Sequence, residues 1–140
     1  VAAAFEDDGD WLAAAPIWIF PECARTLALL GADIICHPAN LVLPYCQDAM
    51  VVRCLENRVF AITANRTGEE SRKSSEPLRF TGHSQIVSPR GDRLLRASDD
   101  GETLETIDIN PVEATDKRVT VRNDLFEDRR PELYGKLYKA

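Results

Sequence analysis

Between Trp18 and Thr63 the spacing of apolar residues changes repeatedly, and that succession constrains the fold more than any other feature of the chain. Pro21 suits the first turn of a helix, where its missing N–H costs nothing. Ala24, Leu27, Ala28 and Leu30 follow as a helical apolar set, and Gly31 supplies the stop. Asp33-Ile34-Ile35-Cys36 is then a short apolar run, the kind buried on both faces of a covered sheet. A second helix is expected over residues 48–57, with Met50, Val51, Cys54 and Leu55 as its stripe. Residues 59–63 read as a strand, as do residues 11–15 ahead of the first helix. The order strand–helix–strand–helix–strand predicts an α/β sheet with helices laid against it. Leu27, Ile34, Ile35, Leu55, Val59 and Ile62 are expected to share one core.

The flanking regions are less regular. Residues 1–10 begin apolar and end acidic, which reads as a strand remnant running into an exposed turn at Gly9. Residues 66–79 are polar, with Gly68 and several serines, and are expected to be the most mobile surface loop. Pro89-Arg90-Gly91-Asp92 is a β-turn signal between strands at 84–88 and 93–97. Leu104, Thr106 or Ile107, and Ile109 indicate another strand, and the acidic run at 99–102 a solvated turn. Asn110-Pro111-Val112-Glu113 is a helix start, with a capping Asn and Pro at the first helical position. Residues 122–140 are charged yet carry Leu125, Phe126, Leu133, Tyr134, Leu137 and Tyr138. Such a tail should pack on its own domain or on another subunit.

At 140 residues the chain fits a single domain. Its net charge of −6 argues against nucleic-acid and anionic-membrane partners, which call for basic patches. Arg25 and Asp33 interrupt the most apolar region before it reaches membrane-spanning length. No basic segment followed by an apolar one announces secretion. Cys23, Cys36, Cys46 and Cys54 include no CxxC pair, so reduced, packed thiols in a cytoplasmic protein are expected. His37 and His83 are the only histidines, and no carboxylates are spaced with them as metal ligands. No metal or other cofactor is expected.

The segments WIFPECARTLALLGADII, HPANLVLP, RCLENRVFAITANRTGEE, FTGHSQIVSPRGD and RNDLFEDRRPELY together closely resemble the nitrilase, or carbon–nitrogen hydrolase, superfamily, nearest to its amidase-like and carbamoylase-like members. The resemblance implies the C-terminal half of an α-β-β-α sandwich: one partial domain over 1–140, with a divergent stretch at 1–17 and a C-terminal arm at 122–140. It also implies hydrolysis of non-peptide carbon–nitrogen bonds in small amide, nitrile or N-carbamoyl substrates. In the family a Cys attacks the substrate carbon, a Glu serves as base and acid, and a Lys stabilises the tetrahedral intermediate.

Three departures qualify that implication. The family's Cys precedes the Trp by three residues in a Cys-aromatic-Asp-Trp pattern, and Ala15, Pro16 and Ile17 stand there before Trp18. Ala15 has no nucleophilic atom, and Pro16 has no N–H to offer an oxyanion. The Glu and Lys belong to a part of the family domain preceding these segments. No catalytic residue is therefore carried over, and the chain as written is expected to be inactive. A non-catalytic pseudoenzyme or interaction subunit, or a truncated fragment, are the alternatives.

By the same resemblance Trp18 and Asn40 lie near the substrate pocket; otherwise Trp18 is a core aromatic and Asn40 bonds its own turn. Cys36 and His37 are adjacent, but neighbours in a strand point to opposite faces, so both read as packing residues. Glu22 suits a helix N-terminus. Arg53 and Glu56 are spaced for an ion pair, and His83 reads as a satisfied or exposed imidazole in a strand-like stretch. A half-sandwich would leave strand edges and an apolar face open, so a homo-oligomer or a companion chain supplying the N-terminal half is expected.

Overall fold

The computed structural model describes residues 2–4, 10–13, 17–71 and 76–138, with side chains described over 17–71 and 76–137. Ala15, Pro16 and the turn expected at Gly9 lie outside the described residues. In chain order the elements are β1 (Ala2–Ala4), β2 (Asp10–Ala13), α1 (Pro21–Leu29), β3 (Ile34–Ala39), α2 (Cys46–Asn57) and β4 (Phe60–Asn65). They continue with β5 (Glu69–Glu70), β6 (Leu78–Arg79), β7 (Gln85–Val87), β8 (Arg93–Arg96), β9 (Arg118–Thr120) and β10 (Asn123–Asp124). One sheet runs β1-β2-β3-β4-β7-β8. Strands β2, β3 and β4 are mutually parallel; β1, β7 and β8 join antiparallel. This is the α/β architecture expected from the alternation of helical and strand patterns.

Local chemistry sets the helix ends. Pro21 opens α1 and Glu22 places a negative charge in its first turn. At the other end Gly31, with φ +98°, donates to the Ala28 carbonyl while the Ala32 N–H reaches back to Leu27, both at 3.1 Å. That pair of bonds is a Schellman stop, and it turns the chain directly into β3. Helix α2 ends on Arg58 in the left-handed region, at φ 50° and ψ 57°. Lys117 Nζ covers its last carbonyls, donating to Arg58 O at 2.9 Å.

Both helices pack on one face of the sheet. Ala24, Leu27 and Ala28 of α1 and Cys46, Met50 and Cys54 of α2 meet Ile35, Ala61 and Val87 of the strands, with Val59 and Ile17 beside them. Leu27, Ile35 and Val59 are in the core as expected; Ile34, Ile62 and Leu55 are not. Strand alternation turns Ile34 and Ile62 to the opposite face, where each is only half-buried. Leu55 is 47% exposed because the buried stripe of α2 runs through Cys46, Gln47, Met50, Cys54 and Asn57. The apolar run of β3 is thus covered on one side by this chain, not on both.

Other expectations shift in register. The segment expected to be a mobile loop closes partly as a ladder, Glu69 opposite Arg79 and Glu70 opposite Leu78, and residues 72–75 lie outside the described residues. The turn at 88–91 joins β7 to β8 as expected. No strand forms at 104–109: Leu104 is 93% exposed, and this stretch pairs with no described strand. Alternation alone cannot make a strand without a neighbouring edge to bond. Asn110 does cap, its side chain accepting from the Val112 N–H at 3.2 Å, but it opens only a single 3-10 turn over Pro111–Ala114. Only Ala114 of that turn is buried, so no apolar stripe sustains a longer helix.

Candidate functional site

The three parallel strands deliver their carboxyl ends to one edge of the sheet, where ligands of open α/β sheets bind. Strand β2 ends there on Ala13, β3 on Ala39 just before Asn40, and β4 on Asn65. Ile17 is fully buried, and Trp18 packs half-buried against the core. Asn40 is exposed, and its side chain does not bond its own turn among the described residues.

The residue that organises this edge is Asn65, buried at the end of β4. Its Oδ1 accepts from the Leu41 N–H at 2.9 Å, and its Nδ2 donates to Thr81 Oγ1 at 3.0 Å and to Gly82 O at 2.6 Å. Its backbone N–H donates to Ser84 Oγ at 3.0 Å. Arg66 continues the weave: its N–H donates to Ala39 O, its carbonyl accepts from Gly82, and its guanidinium lies 4.1 Å from the centre of the Phe80 ring while pairing with Glu70. Three loops, 39–42, 65–70 and 80–84, are thereby tied together. The Asn65-Arg66-Thr67-Gly68 run was legible as part of the family resemblance, but nothing in its polarity alone distinguished a buried hub from a surface turn.

Gly82 and His83 follow with φ +56° and +54°. A Cβ at Gly82 would stand 2.6 Å from Asp99 O, so only glycine lets these backbones approach. His83 is not in a strand; its Nδ1 lies 3.2 Å from Ala97 O, a bond that satisfies it by donating. Two cavities flank the hub. One, of about 560 Å³, is lined by Asn65, Thr67, Ser84 and Glu102 among others; the second, of about 440 Å³, by Val42, Phe80, His83 and Asp99. Neither Trp18 nor Asn40 lines these two cavities.

His37 and Cys36 lie on opposite faces of β3. His37 is 1% exposed on the helix side, its Nδ1 3.4 Å from Thr63 Oγ1 and its Nε2 without a partner. Burial pushes its pKa down to about 4, so it is neutral at pH 7. Burial pushes the Cys46 thiol up to about 12 and Cys54 higher still, which keeps both protonated and unreactive. Arg53 and Glu56 pair at 2.7 Å as their spacing implies. Among the described residues no group of three or more His, Cys, Asp or Glu could hold a metal, and no helix is long and apolar enough to cross a membrane.

This geometry has clear relatives. The sequence profile described as Carbon-nitrogen hydrolase matches residues 18–118. A protein of Pyrococcus abyssi called nitrilase is 49% identical over 117 residues, covering 84% of this chain and 43% of that protein. Human deaminated glutathione amidase is 30% identical over 123 residues, covering 84% and 35%. Among solved structures, a carbon–nitrogen hydrolase from Helicobacter pylori G27 superposes with a TM-score of 0.79 at 25% identity, covering 93% of this chain and 49% of that one. A cysteine-to-alanine mutant of the Nesterenkonia AN1 amidase gives 0.70 at 26% identity, covering 91% and 44%. The chain belongs to the carbon–nitrogen hydrolase family. It spans less than half the length of these curated relatives.

Proposed function

We propose that this chain is the pocket-bearing C-terminal half of a carbon–nitrogen hydrolase sandwich, and that by itself it does not hydrolyse its family's amide, nitrile or N-carbamoyl substrates. The observation that carries this reading is in the sequence: counting back from Trp18, the resemblance puts Ala15, a side chain with no nucleophilic atom, at the family's cysteine position. The four thiols offer no substitute, and Cys23 lies within α1. Cys46 and Cys54 are buried and protonated, and Cys36 is separated from His37 by the thickness of the sheet. Trp18, in the turn before α1, and Asn40, just after β3, are the residues we assign to the pocket wall on the family resemblance.

Loss of the nucleophile lowers the rate of such a catalytic unit by many orders of magnitude. Ammonia release from simple aliphatic amides and from N-carbamoyl amino acids is the test. No release above the uncatalysed rate is expected; release that a thiol-alkylating reagent abolishes would overturn the proposal. A second reading, a non-catalytic interaction subunit, draws on a specific feature: Cys36, Ile62, Ile86 and Leu95 form an apolar row on the sheet face that no helix covers among the described residues. That row would take a companion chain or a second copy as its partner. The two readings are compatible, since both describe a half-sandwich without chemistry of its own.

A further inference from the structure

At the sheet edge remote from the candidate site, a cavity of about 370 Å³ opens between the end of α2, the turn joining β7 to β8, and the start of β9. Arg58, Arg90, Arg118, Glu113 and Asp116 line it. Three guanidinium groups against two carboxylates reverse the sign of a chain whose net charge is −6. One carboxylate is already engaged. Arg118 donates to Asp116 through Nε at 2.7 Å and Nη2 at 3.1 Å, and this pairing holds the Asp116 carboxyl down at about 2. Arg58 also acts on Asp116 through its charge, and Glu113 is the second carboxylate of the lining.

Arg58 bears two marks that packing does not explain. It ends α2 in the left-handed region, where Gly or Asn is the usual residue. Its Nη1 donates to Pro89 O at 3.2 Å, but its Nε is buried with no partner. A charged donor removed from water without an acceptor is costly, and such an orphan calls for an explanation. Arg90 has no partner for its guanidinium among the described residues, yet its backbone is firmly held. Its N–H donates to Ser88 Oγ at 3.1 Å, and the Gly91 N–H closes the turn on Ser88 O at 3.0 Å. The turn also packs on α2, since a Cβ at Gly91 would stand 3.5 Å from Val51 Cγ1. The α2 carbonyls, which would repel an anion, are covered by Lys117.

We propose that the cavity formed by Arg58, Arg90 and Arg118 is a binding site for a small oxyanion, a carboxylate or a phosphate. The fixed, planar forks of Arg58 and Arg90 supply the donors such a group accepts, and Arg118 stays oriented by Asp116. This proposal is independent of the candidate site at the opposite edge.

The test is a thermal-unfolding titration of the whole chain with sodium acetate and, separately, with sodium phosphate, each against sodium chloride at matched ionic strength. A saturable rise in Tm with acetate, phosphate or both, absent with chloride, is expected. Response to acetate alone assigns a carboxylate ligand, and response to phosphate alone a tetrahedral one. Arg90→Gln, on an exposed turn tip, should weaken the apparent affinity by about tenfold or more, and Arg58→Gln should do the same if it folds. Glu113→Gln should strengthen it. Responses no greater than chloride in both arms, or an Arg90→Gln variant that titrates like the parent, would overturn the site.

Discussion

The two faces of the six-stranded sheet carry similar side chains and meet very different surroundings. Toward α1 and α2, Ile35, Ala61 and Val87 form a row across β3, β4 and β7, and none is more than 1% exposed. The neighbouring residue of each strand, Cys36, Ile62 and Ile86, forms the opposite row, continued by Leu95 of β8, and all remain half-buried. The chemistry of the rows is alike, so the difference lies in coverage. A sheet that is apolar on both faces is suited to two covering layers. This chain supplies one of them, which agrees with its spanning less than half of its relatives.

Substitution across the two rows should separate them most sharply. Ile35→Ala should cost roughly 2–5 kcal/mol in denaturant unfolding, as a cavity in a closed core does, and Ile62→Ala roughly 1 kcal/mol. Equal costs would mean that the second face is covered after all. Acid should act through the covered face. Unfolded His37 takes up a proton below about 6.5, whereas the folded imidazole stays neutral down to about 4. Stability should therefore be intact above pH 6.5 and fall by roughly 3 kcal/mol as the pH drops from 6.5 to 4. His37→Gln should remove most of that slope, and an unchanged slope would place the titrating group elsewhere.

Gly82 tests the edge between the layers. Alanine there meets the Asp99 backbone and should cost roughly 1–3 kcal/mol, with Asn65→Ala producing a comparable loss through the two bonds its amide nitrogen gives up. The smallest effect belongs to the half-buried Arg53–Glu56 pair within α2. Glu56→Gln, which keeps an acceptor for Arg53, should change stability by about 1 kcal/mol or less.

Much of the first layer was legible in the sequence. Pro21 and Gly31 bounded α1 because proline and glycine act locally, and the order of helices and strands followed from periodicity. Which face of β3 the chain itself covers was not legible, since Ile34, Ile35 and Cys36 are equally apolar and alternation does not say where the helices lie. Leu55 was misplaced for a related reason: Gln47 and Asn57 occupy the buried stripe, and their burial rests on long-range bonds such as Gln85 to the Gln47 carbonyl at 2.7 Å. The strand expected at 104–109 failed because pairing needs a neighbouring edge. Of the site, Trp18 and Asn40 came from resemblance, whereas the Asn65 hub depends on loops 16 or more residues away in sequence. In the tail, Phe126 packs on its own domain beneath Arg25 and Lys117, while Leu133 and Leu137 stay 74% and 61% exposed.

The unequal faces are tested most directly by sedimentation equilibrium at micromolar concentration, run on the parent chain and on the double variant Ile62→Lys with Ile86→Lys. With its apolar row uncovered, the parent should sediment as a species heavier than 15.6 kDa, and two lysines on that row should return it to the monomer mass while leaving the helix-covered core folded. A parent chain that is a stable 15.6 kDa monomer, or a double variant that associates as strongly as the parent, would contradict the account.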